Sequence, residues 1–242
     1  MAVNDITHMK MDGMESAYSI QHHEVEPRVS VTRPLFVVAW SGASGIRYGV
    51  RLVETLLRGG ANVRLTISPT AVVVLRQEMR VSITLDHFEP GQIPMLRTIQ
   101  NLNTVGALYY DHFDDFSAPA ASGSYHTDGM VICPCSLSSL GAIASGAGRD
   151  LSHRMAEVHL KEHRPLILVP RETPLSLIAL RNMVTLSEAG AVILPASPGF
   201  YGSQTTVATM IDFVVGRVCD QLHFPNTLAP RWSMDRPTDG NE

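Results

Sequence analysis

A chain of 242 residues, 45% hydrophobic and 17% charged, is long enough for one sizeable α/β core and too apolar to be a disordered polymer. Its 19 Lys+Arg against 23 Asp+Glu leave a net charge of −4, which offers no basic surface to nucleic acid. Three cysteines make no disulfide framework, and no apolar run has transmembrane length or the form of a signal peptide. A cytoplasmic protein with no membrane or nucleic-acid partner is therefore expected. Charged residues fall below the usual fraction of about a quarter, so part of the surface is expected to be covered by other subunits.

Residues 1–32 show neither helical nor strand periodicity and read as a flexible tail, in which the adjacent His22 and His23 are solvated rather than metal-binding. The ordered domain is expected over residues 33–225, with a C-terminal tail over 226–242. It opens on the apolar strand 35–40, followed by Ser41-Gly-Ala-Ser-Gly45 and a helix over 46–57. A strand of this kind is buried on both faces, as in a parallel sheet. The small-residue turn lets the backbone approach a ligand closely, and first-turn amides carry partial positive charge, so an anion such as a phosphate fits there. The turn is neither G-x-G-x-x-G nor a Walker loop, and a tight connection without ligand is the alternative.

After Gly59-Gly60 a second strand is read at 61–67, then a helix over 71–78 with Ser68 as N-cap and Pro69 in its first turn. Residues 81–103 look like an irregular insertion, 105–109 like a strand, and 111–127 like a long functional loop rich in Ala, Ser, Gly and Pro. A buried strand at 129–133 ends in Pro134-Cys135-Ser136-Leu137-Ser138-Ser139 before a helix at 140–148. Cys133 and Cys135 read as buried small hydrophobes, because a single C-x-C is a poor metal signal. A helix over 151–162 places Arg154 and Lys161 on one face, and the strand 164–170 delivers Arg171 and Glu172 to its carboxyl end. A helix at 175–189, a strand at 190–195 and a helix at 207–222 carrying Arg217 complete the chain. This alternation predicts an α/β, Rossmann-like (flavodoxin-like) doubly wound parallel sheet in a single domain, with a phosphorylated ligand at the switch point.

The segments SGASG with YGVRL downstream, ASGS, MVICPCS, LKEHRPLILVPRETP and GAVILPASPGFY, with Arg154 and Arg217, stand in a specific order and spacing. Together they resemble the UbiX-type flavin prenyltransferases over about residues 35–232. The resemblance implies a homo-oligomer, usually a dodecamer, with sites at subunit junctions. It implies that a dimethylallyl group passes from dimethylallyl monophosphate to N5 and C6 of reduced FMN without a metal. Prenylated FMN would then serve a UbiD-type decarboxylase. Carried over by position, Gly42, Ala43, Ser44, Ser68, Ser136, Leu137, Ser138, Ser139 and Arg171 are the FMN-binding residues. Tyr201 and Arg217 hold the prenyl phosphate with Lys161 and Arg154, and Phe116, Ala121, Ser122, Gly123 and Ser124 reach the prenyl pocket. Glu172, Ser44, Lys161 and Glu78 form the catalytic set. Pro69 and Ser138 depart from the resemblance, standing where relatives carry Lys, and Phe116 stands where Trp occurs.

The chemistry asks for cations and directed donors around a leaving phosphate, and Lys161, Arg171, Tyr201 and Arg217 are of those types. Closing the second bond releases a ring proton, for which Glu172 is the expected base, with Ser44 orienting N5. Each has a plainer alternative: Arg217 pairing with Asp212 or Asp220, Glu172 pairing with Arg171, Ser44 capping a helix, Phe116 packing. An FMN-dependent cysteine decarboxylase of the same fold and a non-catalytic FMN carrier stay open as other functions. The sequence also leaves open whether the donor is a monophosphate or a diphosphate.

Overall fold

The computed structural model describes residues 33–99, 106–200 and 206–229. The tail expected at 1–32 and the segment from 230 onward lie outside them.

Six parallel strands form one sheet: β1 (Leu35–Trp40), β2 (Asn62–Ile67), β3 (Leu108–Tyr110), β4 (Gly129–Cys135), β5 (Leu166–Pro170) and β6 (Val192–Ile193). Their order is β3-β2-β1-β4-β5-β6, so the chain reverses its direction of growth between β1 and β4. The strand pattern explains why both faces are covered. Phe36, Val38 and Trp40 enter one hydrophobic cluster with Val131, Ile167 and Val169, while Val37 and Ala39 enter a second with Met130, Ile132 and Leu168. Alternate residues point to opposite faces, so a continuous apolar strand demands two layers of helices.

The first layer is α1 (Ile46–Arg58), α2 (Pro69–Met79) and α7 (Val207–Gln221), which bring Val50, Leu75 and Val218 to the first cluster. The second is α4 (Leu137–Ala144), α5 (Leu151–Lys161) and α6 (Leu177–Glu188), which bring Leu140, Met155 and Leu186 to the other. Loops leaving β1 and β4 therefore diverge to opposite faces and open a crevice between them.

Several element boundaries differ from the sequence expectation. Strand β4 runs on through Pro134 to Cys135, and α4 begins at Leu137 because the Ser136 side chain caps it. Helix α4 stops at Ala144, where Ser145 turns its hydroxyl back onto the Gly141 carbonyl at 2.8 Å and Gly146 adopts a φ of 66°. The stretch expected to be an irregular insertion holds a 3-10 turn at Pro90–Gln92 and the short helix α3 (Pro94–Arg97). It buries Ile93, Leu96 and Ile99 in the core. Its prolines start turns rather than breaking structure, which hides the apolar spacing from a periodicity search. Beyond the expected domain limit, Asn226 donates to Asp220 at 3.2 Å and Leu228 packs on the first cluster.

The long loop 111–127 is pinned along its length. Asp111 pairs with Arg64, whose guanidinium also lies 5.5 Å from the Tyr109 and Tyr125 ring centres. Arg164 donates to the carbonyls of Gly123 and Tyr125 at 2.6 and 2.8 Å. No helix among the described residues is long and apolar enough to cross a membrane.

Candidate functional site

The turn after β1 is fastened to the end of β4 through one side chain. Ser41 Oγ donates to the Pro134 carbonyl at 2.8 Å and accepts from the Ser136 amide at 2.7 Å. Since Pro134 has no amide of its own, this bond aligns the two switch-point loops without needing a regular ladder. A Cβ on Gly42 would stand 2.4 Å from Thr70 Oγ1, so only glycine lets this turn pass the start of α2. Gly45, at a φ of 98°, ends the turn over the Tyr48 ring.

Two of the amides at the start of α1, which the sequence reading offered to a ligand anion, are taken up within the protein. Gly45 and Ile46 donate to the carboxylate of Glu78, at 2.9 Å and 3.1 Å. A carboxylate from α2 thus meets the positive end of α1, a pairing between elements that no local spacing announces. Arg47 reaches the Glu78 carbonyl at 3.1 Å and locks the same joint. Glu78 therefore stands as the cap of α1.

The other expected FMN residues gather beside this joint. Ser68 Oγ accepts from the Ala71 amide at 3.2 Å and lies 3.0 Å from Thr70 Oγ1. Ser136 Oγ accepts from the Ser139 amide at 3.1 Å and donates to Ser139 Oγ at 3.0 Å. Leu137 turns its side chain to the second core cluster, so its backbone is what it offers a ligand. Arg171 leaves β5 and donates from Nε to the Ser44 carbonyl at 3.1 Å, which closes the rim. Glu172 does not pair with that guanidinium; its Oε1 accepts from the Thr173 amide at 3.0 Å, and the side chain is exposed.

Between α2 and α4 lies a cleft of about 450 Å³ whose lining includes Ser68, Thr70, Ser136, Ser138 and Ser139. Hydroxyls, helix N-termini and a turn that must be glycine suit the ribityl chain and phosphate of FMN. Arg149, Asp150 and His153 also border this cleft, and sequence reasoning passed over them. The available signal was Asp150, whose carboxylate caps α5 by accepting from the His153 amide at 3.1 Å.

Burial sets the electrostatics below the rim. It raises the Tyr48 hydroxyl above its ordinary range, with Cys133 adding to this and Arg171 pulling the other way. It pushes the Cys135 thiol up to about 12 and Cys133 higher still, so both thiols pack as small hydrophobes. No cluster of metal-ligating side chains occurs among the described residues.

The expected prenyl-phosphate residues do not join this group within one subunit. Arg154 donates to the Ala121 carbonyl at 3.2 Å, and Lys161 contacts Glu162 beside Gly123. Ser122 pairs with Ser124 on the same loop at 2.9 Å. Lys161 and the Gly123 loop stand where α5 ends and β5 begins, at the amino edge of the sheet, while Arg154 lies in the first turns of α5 and Arg171 at the carboxyl edge. The five residues of β5 separate the two edges by about 16 Å. Arg217 lies elsewhere again, paired with Asp220 at 2.8 Å, on a groove between β6 and α7. Phe116 is 54% exposed, and Tyr201 lies outside the described residues.

A sequence profile described as Flavoprotein matches residues 25–219. A protein of Halalkalibacterium halodurans named flavin prenyltransferase UbiX is 41% identical over 214 residues, covering 86% of this chain and 98% of that one. Among solved structures, AnUbiX (PadA1) in complex with FMN and dimethylallyl pyrophosphate is 37% identical. It covers 84% of this chain and 98% of its own, at a TM-score of 0.72. A dodecameric FMN-dependent UbiX-like decarboxylase from Escherichia coli O157:H7 is 34% identical, covers 82% and 99%, and has a TM-score of 0.71. With the glycine turn, the Ser136–Ser139 capping turn and Arg171 gathered at one switch point, this chain belongs to the UbiX flavin prenyltransferase family.

Proposed function

We propose that this chain is a metal-independent flavin prenyltransferase that moves a dimethylallyl group from dimethylallyl phosphate to reduced FMN. The observation that carries the reading is the similarity, over 84% of the chain, to a solved structure in complex with FMN and dimethylallyl pyrophosphate. The switch-point cleft, with its hydroxyls and close backbone approach, supplies the matching flavin seat.

Reduced FMN supplies the nucleophilic ring atoms, N5 and then C6. The chain's own residues do the rest. Gly42, Ala43 and Ser44 receive the ring edge, Ser68 and Ser136–Ser139 the polar tail, and Arg171 anchors the rim through the Ser44 carbonyl. As the allylic C–O bond breaks, negative charge grows on the departing phosphate. Lys161, Arg154, Arg217 and Tyr201 provide cations and donors that stabilise it, a role worth roughly 3–4 kcal/mol of barrier per donor. Glu172, exposed and free of Arg171, accepts the proton released when the second bond closes. Glu78 acts through α1, fixing the turn that carries Ser44.

The separation of Lys161 from Arg171 by the length of β5 supports a site completed by a neighbouring subunit. The outer face of α6 supports the same assembly, with Leu177 62% and Ile178 73% exposed beside Val184. Apolar surface of this kind is covered in a working protein, and a dodecamer like the E. coli neighbour would cover it. The product, prenylated FMN, is read as passing to a UbiD-type decarboxylase in the cytoplasm.

The test is an anaerobic incubation with reduced FMN and dimethylallyl monophosphate, without added metal, followed by mass spectrometry of the extracted flavin. The expected result is a flavin heavier by one five-carbon unit, formed far more slowly by Glu172→Gln. Unmodified FMN with both the monophosphate and the diphosphate donor would overturn the proposal.

A further inference from the structure

The cleft beside the flavin turn has a cationic end that the assigned residues do not use. Arg149 is exposed on its border and makes no ion pair among the described residues. Next to it, His153 lines the same cleft, is 7% exposed, and buries an Nε2 that has no hydrogen-bond partner. Its other ring nitrogen, Nδ1, accepts from the Arg149 amide at 3.2 Å, so the histidine ties the arginine's backbone to α5. Across the cleft, the Leu137 and Ser138 amides begin α4 and have no intrahelical acceptor, since Ser136 Oγ serves the amide of Ser139. The Asp150 carboxylate beside Arg149 and His153 is already engaged, accepting from Ser152 Oγ at 2.6 Å and from the His153 amide, with His153 Nδ1 3.3 Å away.

Ser138 makes no cationic contribution here, and neither does Pro69 at the mouth of α2, so this end has hydroxyls and amides but no lysine. A phosphate monoester carries close to two negative charges at neutral pH, and a guanidinium meets it with two parallel donors. We propose that Arg149, positioned by His153, is the cationic anchor for the phosphate end of FMN in this chain. The inference rests on the flavin-binding reading above and deepens it. Arg149 makes the contact, and His153 acts through it by holding the Arg149 amide.

The test compares FMN with riboflavin, which differ by this phosphate, in equilibrium binding followed by flavin fluorescence. The wild-type protein is expected to prefer FMN, and Arg149→Ala to weaken FMN about tenfold or more while leaving riboflavin unchanged. Arg149→Lys should recover most of the loss, which a merely structural arginine would not show. The KM for dimethylallyl monophosphate should stay as in the wild type. An Arg149→Ala protein that keeps its full preference for FMN overturns the inference and leaves the flavin reading standing. So does one whose KM for the prenyl phosphate rises instead. A wild-type protein that binds neither flavin overturns both.

Discussion

At the carboxyl edge of the sheet, the turns after β1 and β4 are joined through one short side chain, Ser41 to Pro134 and Ser136, and Arg171 after β5 reaches the Ser44 carbonyl. At the amino edge, by contrast, the loop through Gly123 is held by a long cation, Arg164, reaching the Gly123 and Tyr125 carbonyls from the turn after α5. The first construction makes a fastened, concave rim beside a cleft lined with the hydroxyls of Ser68, Thr70, Ser136, Ser138 and Ser139. The second fixes a loop from below and leaves Lys161, Ser122 and Ser124 on an exposed surface. Rigid seats bind a ligand by themselves, whereas an exposed ledge of polar groups acts when another surface covers it.

Mixing subunits breaks or sharpens that comparison most directly. Lys161→Ala alone should lower prenyl transfer by roughly 10²–10³-fold with flavin affinity kept, while Arg171→Ala should weaken the flavin itself. If the edges of two different subunits meet, co-assembled Lys161→Ala and Arg171→Ala chains regain activity, to about a quarter of the sites on random mixing. No recovery in a purified mixed oligomer would place both residues in one subunit's site.

Acid should act on the amino edge. His159 on α5 is buried, donates from Nδ1 to the Met155 carbonyl at 2.7 Å, and accepts at Nε2 from Thr127 at 2.9 Å. Burial lowers its pKa from 6.5 to about 4, with Arg164 adding to the effect. Its folded pKa is depressed, so the native state refuses a proton that the unfolded chain accepts. Stability is then full above about pH 6.5 and falls as pH drops toward 4, by about 2–3 kcal/mol over that window. Urea midpoints measured from pH 7.5 to 4.5 should show this limb, and His159→Gln should flatten it.

A smaller effect is expected at the carboxyl edge. Glu78→Ala removes the carboxylate that holds the Gly45 and Ile46 amides, which should cost about 1–2 kcal/mol in thermal or urea unfolding. Flavin affinity should fall with it, because the Gly42–Ser44 turn loses its abutment. An unchanged unfolding midpoint would show that the turn is held by Ser41 and Gly42 alone.

Much of the fold was legible because it rests on patterns of period two and on local caps. The two-sided burial of β1, β4 and β5, the N-caps Ser68 and the small-residue turn at Gly42 all follow from neighbours in sequence. That Ser41–Gly45, Ser68, Ser136 and Arg171 stand at strand ends was legible for the same reason, whereas their assignment to flavin rests on the family resemblance. Illegible were the capping of α1 by Glu78 and the buried ring of His153 behind Arg149, because these pairings cross between elements. The sequence by itself determined which residues carry hydroxyls and charge at the strand ends, since the apolar rhythm dictates where each strand stops. Only the tertiary structure decided that the Glu78 carboxylate of α2 meets the start of α1, because the packing of one helix beside another, not spacing along the chain, brings the two together.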